Sequence, residues 1–393
     1  MINLLKQKNC KKIVSEELIF VLWFWEFALL RYFIIENKDK STLILFSGAL
    51  ILLILSLFKG VKFSNFLVFI IIFYIYGFFK YIFTNEASYL VVLEDFLYKF
   101  VINGVLPVYF FTQIKDAKKV LKLLIFFSVI VFFIFFKDPF NGYILTGNYM
   151  GFGFLVALPV YFCLNIGRKY FRYNYLLLLE IATIILIFGF SNRSAILSFL
   201  VFNFLNFVFI EKIGYKKKII EITIVIIAFI IAMFLFKYII NFIFIKMEQQ
   251  NLHIRVVGTV YNYFYGSHAL DTLSSGRISI WENAIKIIKK NIFFGSGLKF
   301  FESIYVYYSH NIVLDLLIQF GVFIFLGFTY LCIKSFFNII HYNYYEKILG
   351  IMFFSLWFPK LLFSSSMYYD HGLWMFLAFG LSGLKKYKFK FLK

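Results

Sequence analysis

Three residues on one face of this chain are of the right types to act together on a charged, oxygen-rich substrate. Arg193 stands in Ser191-Asn192-Arg193-Ser194, a polar break between two apolar runs. Arg277 heads a stretch with helical spacing of apolar residues, and His310 sits in Ser309-His310-Asn311 before another long apolar run. A guanidinium is a planar, permanently charged fork that matches phosphate oxygens. An imidazole titrates near neutrality and accepts a proton from a hydroxyl. The plainer readings are an interfacial anchor for Arg193, a solvated helix start for Arg277 and a polar cap for His310.

The elements that must carry these residues follow from composition. Of 393 residues, 62% are apolar and 15% charged, with a mean hydropathy of +0.84. Soluble domains carry roughly a quarter charged residues. The composition therefore excludes a cytosolic enzyme, a disulfide scaffold and a disordered chain, and points to an all-α polytopic membrane protein. Apolar runs predict twelve helical spans at 18–35, 42–58, 64–79, 90–111, 120–136, 149–166, 175–190, 194–210, 219–240, 310–333, 347–363 and 371–384. Runs of this length are helices, because a helix satisfies its own backbone in lipid.

The net charge of +20 reads as loop charge that sets orientation, not as a nucleic-acid footprint. With the N-terminus inside, the inner segments hold 23 Lys and Arg and the short outer segments 5. Both termini are thus expected in the cytoplasm, and Arg193, Arg277 and His310 on the outer face. The first apolar run, with Trp23 and Trp25 and no small-residue cleavage site, reads as a retained span. Cys10, Cys163 and Cys332 have no metal-ligand spacing.

Three regions result: a bundle over 1–240, an outer loop over 241–309 and a second bundle over 310–393. The loop carries an expected amphipathic helix from Arg277 to Asn291, with Ile278, Trp281, Ile285 and Ile288 as its apolar face. Ser274-Ser275-Gly276 would start it and Gly295-Ser296-Gly297 end it. That face is expected on the membrane surface or on the bundle. The inner loops are too small for a nucleotide-binding domain, and no Gly-rich phosphate loop is present. An outer-face reaction then needs a substrate activated beforehand, which a polyprenyl-pyrophosphate-linked glycan satisfies. No Asp-x-Asp pair lies in an outer segment, so neither a metal nor another cofactor is expected.

At these residues the chain resembles the O-antigen ligase and O-antigen polymerase family of bacterial inner-membrane glycan transferases. Arg193-Ser-Ala-Ile-Leu197 looks like the family's Arg-x-x-x-Leu element. Ser275-Gly-Arg277, Trp281 and Gly295-Ser-Gly297 resemble its loop signature. His310-Asn311 followed by Gly321 resembles the ligase pattern, from which Ile324 departs; Arg255 with Gly266 matches an Arg-x10-Gly pattern of polymerases. The resemblance implies a GT-C-like fold, metal-independent transfer and an undecaprenyl-pyrophosphate glycan donor. Arg193, Arg277 and His310 would be catalytic, with Arg193, Arg277, Arg255 and Asn311 binding substrate. A chain-length regulator and a flippase are the implied partners, besides membrane lipid. Repeat-unit polymerisation is the expected reaction, with ligation to lipid A-core and lipid transport as rivals. The two related halves and midplane-broken helices usual in carriers are not evident.

Overall fold

The computed structural model describes residues 15–36, 41–57, 71–72, 75–76, 101–136, 152–211, 241–242, 244–246, 249, 261, 265, 277–298, 300–305, 307–363 and 370–382. The architecture is all-α, with no strand among the described residues. In chain order the helices are α1 (Glu16–Glu36), α2 (Ser41–Leu57), α3 (Leu106–Thr112), α4 (Ala117–Phe136), α5 (Leu158–Phe171), α6 (Leu177–Phe190), α7 (Arg193–Phe209), α8 (Arg277–Lys290), α9 (Phe300–Tyr305), α10 (Ile312–His341), α11 (Tyr344–Phe363) and α12 (His371–Ser382). A π turn precedes α3 over Val101–Val105 and α5 over Gly153–Ala157. Pro107 and Pro159 follow in the first turn of each helix, where a missing N–H costs least.

Every expected span that falls on described residues is met by a helix. Spans 64–79 and 219–240 lie almost wholly outside them, so the number twelve rests on the sequence. Among the described residues one helix, α10, is long and apolar enough by itself to cross a membrane. Other helices are apolar on their outer faces as well. Phe126 and Phe133 on α4, Leu178 and Ile185 on α6, and Leu200 and Phe204 on α7 are all exposed. A soluble protein rarely shows so much apolar surface, whereas a helix facing lipid must.

The core is aromatic. Phe20 and Trp25 of α1, Phe111 of α3, Phe353 of α11 and Trp374 of α12 are fully buried. Phe111 meets Phe353 and Phe379 edge to face at 5.5 and 5.2 Å. Such pairs fix ring orientation where lipid offers no competing hydrophobic force.

At the opposite end from the candidate site, basic residues that the orientation rule treats as loop charge are ion-paired. Glu180 accepts from Asn165 Nδ2 at 2.7 Å and from Arg168 Nη2 at 3.2 Å. Lys169 pairs with Glu211, and Lys115 and Lys119 with Glu16 and Glu17. Burial of Glu17 pushes its carboxyl up, but the Lys119 ammonium and the amides around it outweigh burial and hold it below its ordinary 4.5. A carboxyl lowered by folding stabilises the fold above its unfolded pKa and loses that contribution as pH falls through the folded value. Melting temperature in detergent should therefore drop on acidification below about pH 4.5, and Glu17→Gln should flatten that drop.

Candidate functional site

His310 stands just before α10, not inside it. Asn311 is the cap: its Oδ1 accepts from the amides of Val313 and Leu314 at 2.9 and 3.3 Å. His310 itself has φ +56°, the left-handed region that few residues other than Gly and Asn enter readily. The backbone is held there from both sides. Ser309 is fully buried, and its hydroxyl lies 2.7 Å from Asp315 Oδ1 and 3.0 Å from the Asn311 carbonyl, either of which can take its proton. The half-buried imidazole rests on the Tyr308 ring at 4.1 Å.

The helix headed by Arg277 docks beside this loop. The indole N–H of Trp281, one turn after Arg277, donates to the Ser309 carbonyl at 3.1 Å. Beneath it Ala284, Ile287 and Ile288 bury against Phe301 and Ile318, with Ile280, Leu314 and Leu317 around them. This corrects the expected apolar face. Ile278 and Ile285 point outward, 39% and 45% exposed, and the buried stripe runs through positions 280, 284, 287 and 288. Isoleucines occupy two faces of α8, and the partner α10 selects one. The apolar side thus lies on the bundle.

Gly295-Ser-Gly297 then plugs a break in α10. Gly321, with φ +77° and ψ −178°, interrupts that helix. The interruption frees the carbonyls of Ile318 and Gln319, and the amides of Ser296 and Gly297 bond to them, the second at 3.1 Å. In return Val322 N–H donates to the Ile292 carbonyl at 2.8 Å. Backbone meets backbone so closely that a Cβ on Gly295 would lie 2.5 Å from Phe320 N, and one on Gly321 2.2 Å from the Phe293 carbonyl. Irregular backbone inside a membrane protein survives only where other protein groups satisfy it.

Arg193 opens α7, capped by Asn192, whose Oδ1 accepts from Ala195 N at 3.0 Å. The guanidine-bearing residue is exposed, and Leu197, one turn on, shares its outward face. Gly153 lets the π turn before α5 approach this break, since a Cβ there would sit 3.0 Å from Ser191 Cβ and 3.1 Å from Ala195 Cβ. α7 packs along α11, and the last turn of α11 reaches the His310 loop, where Asn311 Nδ2 donates to the Leu362 carbonyl at 3.2 Å. Nearby, Lys360 and Asp370 form a buried ion pair at 2.9 Å, with the ammonium 5.6 Å from the Phe154 ring centroid.

The structure therefore sets the helix headed by Arg277 beside the His310 loop, through the Trp281–Ser309 hydrogen bond, and links the Arg193 break to that loop by way of α11. Arg255, Gly266 and Ser274-Ser275-Gly276 lie outside the described residues. Asn311 is occupied as a cap and a tie to α11. Sequence reasoning missed the Ser309–Asp315 contact, the indole bond and the Lys360–Asp370 pair. Asp315, Lys360 and Asp370 were visible as charges inside or at the edges of apolar runs, without their partners. Among the described residues no group of three His, Cys, Asp or Glu side chains is placed to hold a metal ion.

Two guanidinium groups at helix starts add to the positive field of those N-termini, a setting suited to a diphosphate, with an imidazole beside one of them. No curated protein and no solved structure matches the chain. Residues 177–329, from α6 to the middle of α10, match the model of the family described as O-Antigen ligase. That segment contains Arg193, Arg277, His310 and Gly321, and the match supports the resemblance to the O-antigen polymerase and ligase family.

Proposed function

We propose that the protein polymerises O-antigen or capsular repeat units at the outer face of the bacterial inner membrane, with both termini cytoplasmic. The donor is an undecaprenyl-pyrophosphate-linked oligosaccharide and the acceptor the end sugar of another lipid-linked repeat unit. Arg193 and Arg277 hold the donor pyrophosphate and stabilise the charge that grows as the bond between sugar C1 and phosphate oxygen breaks. His310 accepts the proton of the attacking hydroxyl as the new C1–O bond forms, and the lipid pyrophosphate leaves. Asn311, Ser309 and Trp281 position the imidazole. Arg255 adds a cation from the loop, which covers the site against water. No metal ion takes part.

The observation that carries this reading is the hydrogen bond from Trp281 to the Ser309 carbonyl, which sets the Arg277 helix beside His310. A second reading, ligation of finished glycan to lipid A-core, draws support from the matched family being described as O-Antigen ligase. The test uses purified protein with synthetic lipid-linked repeats. Chain growth without ATP or added metal is the expected result. Movement of unchanged lipid across vesicles would instead mean a carrier. In a deletion strain, single-repeat caps mean loss of a polymerase, and long lipid-linked chains never joined to core mean loss of a ligase. A chain-length regulator and a flippase are the partners this role requires.

A further inference from the structure

α10 packs on α11 near its C-terminal end, where Ile339 lies against Gly350, and the cap of α10 meets α11 again at Leu362. Near the His310 loop the contact is Asn311 Nδ2 to the Leu362 carbonyl; deeper in the bundle Phe336 packs on Phe354 with ring centroids 4.8 Å apart. At 1.5 Å per residue the contacts bracket about 37 Å of α10 but only about 12 Å of α11. α10 must bow outward, and the break at Gly321 lies within the bow. The bow encloses a cavity of about 330 Å³. Its walls are hydrocarbon and ring surface without a charged side chain, from Ile312 and Leu316 past Phe325 and Thr329 to Cys332 and Phe336. Ile333 and Phe337, 52% and 57% exposed, form a lip on the outward face of α10. That face carries Phe323, Leu326, Tyr330, Ile333 and Phe337 at helical spacing, all exposed, as a helix in contact with lipid does.

We infer that this bowed groove between α10 and α11 holds the isoprenoid tail of the lipid-linked donor, running from the His310 loop down to the lip at Ile333 and Phe337. The inference rests on the donor class proposed above. Three features favour a tail over any other occupant. The groove starts two residues after His310, where the tail's pyrophosphate would be held. It opens sideways on the apolar face, so a chain enters without leaving hydrocarbon. Its size falls within the range of ligand pockets, and it has no charged wall to bind a polar group. The Gly295–Gly321 clasp thereby gains a second task, because it maintains the bend that keeps the groove open.

The test compares two donors with one glycan headgroup, carrying either an undecaprenyl or a geranyl chain, on wild-type protein and on Thr329→Trp, which fills the middle of the groove. The expected result is a loss in kcat/KM of about tenfold or more for the undecaprenyl donor and a change within about twofold for the geranyl donor. An equal loss for both donors, or none for either, overturns the inference. A diazirine-bearing undecaprenyl pyrophosphate on wild-type protein in nanodiscs gives a second readout, valid if the variant fails to fold. Cross-links at 325–337 and 354–362 that survive excess phosphatidylethanolamine support the groove. Cross-links elsewhere, or displacement by that phospholipid, reject it. If wild-type protein transfers glycan from neither donor, the proposed reaction fails, and the cross-linking decides the groove independently.

Discussion

His310→Asn should abolish glycan transfer while leaving the protein as stable as the wild type. The choice of Asn matters. Position 310 sits at φ +56°, and Asn enters the left-handed region more readily than Ala does. The Asn variant therefore keeps the loop backbone, and removes the imidazole that accepts the proton together with its ring contact to Tyr308. Loss of general-base assistance costs about 10²–10⁴-fold in rate. His310→Ala should lose as much activity but melt lower, because it adds backbone strain. Ala at Arg193 or Arg277 should abolish transfer with normal expression, and Arg277→Lys should recover little, since an ammonium lacks the planar fork. The measurement is kcat/KM beside a melting curve for each variant. Retained activity in the His310, Arg193 and Arg277 variants together would reject the mechanism.

Gly321→Ala and Gly295→Ala should unfold the α8–α10 unit. Each adds a Cβ at a positive φ, and each Cβ collides with opposing backbone, which cannot rotate away as a side chain would. The strain alone is worth about 1–3 kcal/mol, and separating the two segments would also orphan the carbonyls of Ile318 and Gln319. The expected result is a loss of roughly 3 kcal/mol or more, read as a lower melting temperature, with activity lost in parallel. Gly327, six residues further along α10, is the control. Nothing lies within 4 Å of a Cβ built there, so Gly327→Ala should be neutral or gain up to about 1 kcal/mol of helix propensity.

The helices were legible because an apolar run of about twenty residues has few other solutions, and α5, α7 and α11 fall where such runs lie. The existence of α8 was legible from its spacing, but its buried face was not. Ile278 and Ile285 are as apolar as Ile280 and Ile287, and only the position of α10 distinguishes them. Gly321 was visible as part of a pattern. That it breaks the helix was not, because the break depends on amides at 296 and 297, which no local rule connects to it. His310 was expected to open the span, whereas its left-handed backbone leaves that task to Asn311. Glu17 and Lys119 are 102 residues apart and Lys360 and Asp370 lie at the ends of different helices, and charge counting assigns sides, not partners.

The interruption at Gly321 also bears on how the chain is threaded into the bilayer. Val322–His341 alone measures about 30 Å as a helix, the full thickness of the hydrocarbon layer. The insertion machinery thus needs to retain only that stretch, and Ile312–Phe320 can be exported together with α8. On the proposed topology, the exported half would dock onto the retained half from outside, so assembly of this region would be completed only after translocation of the loop had ended.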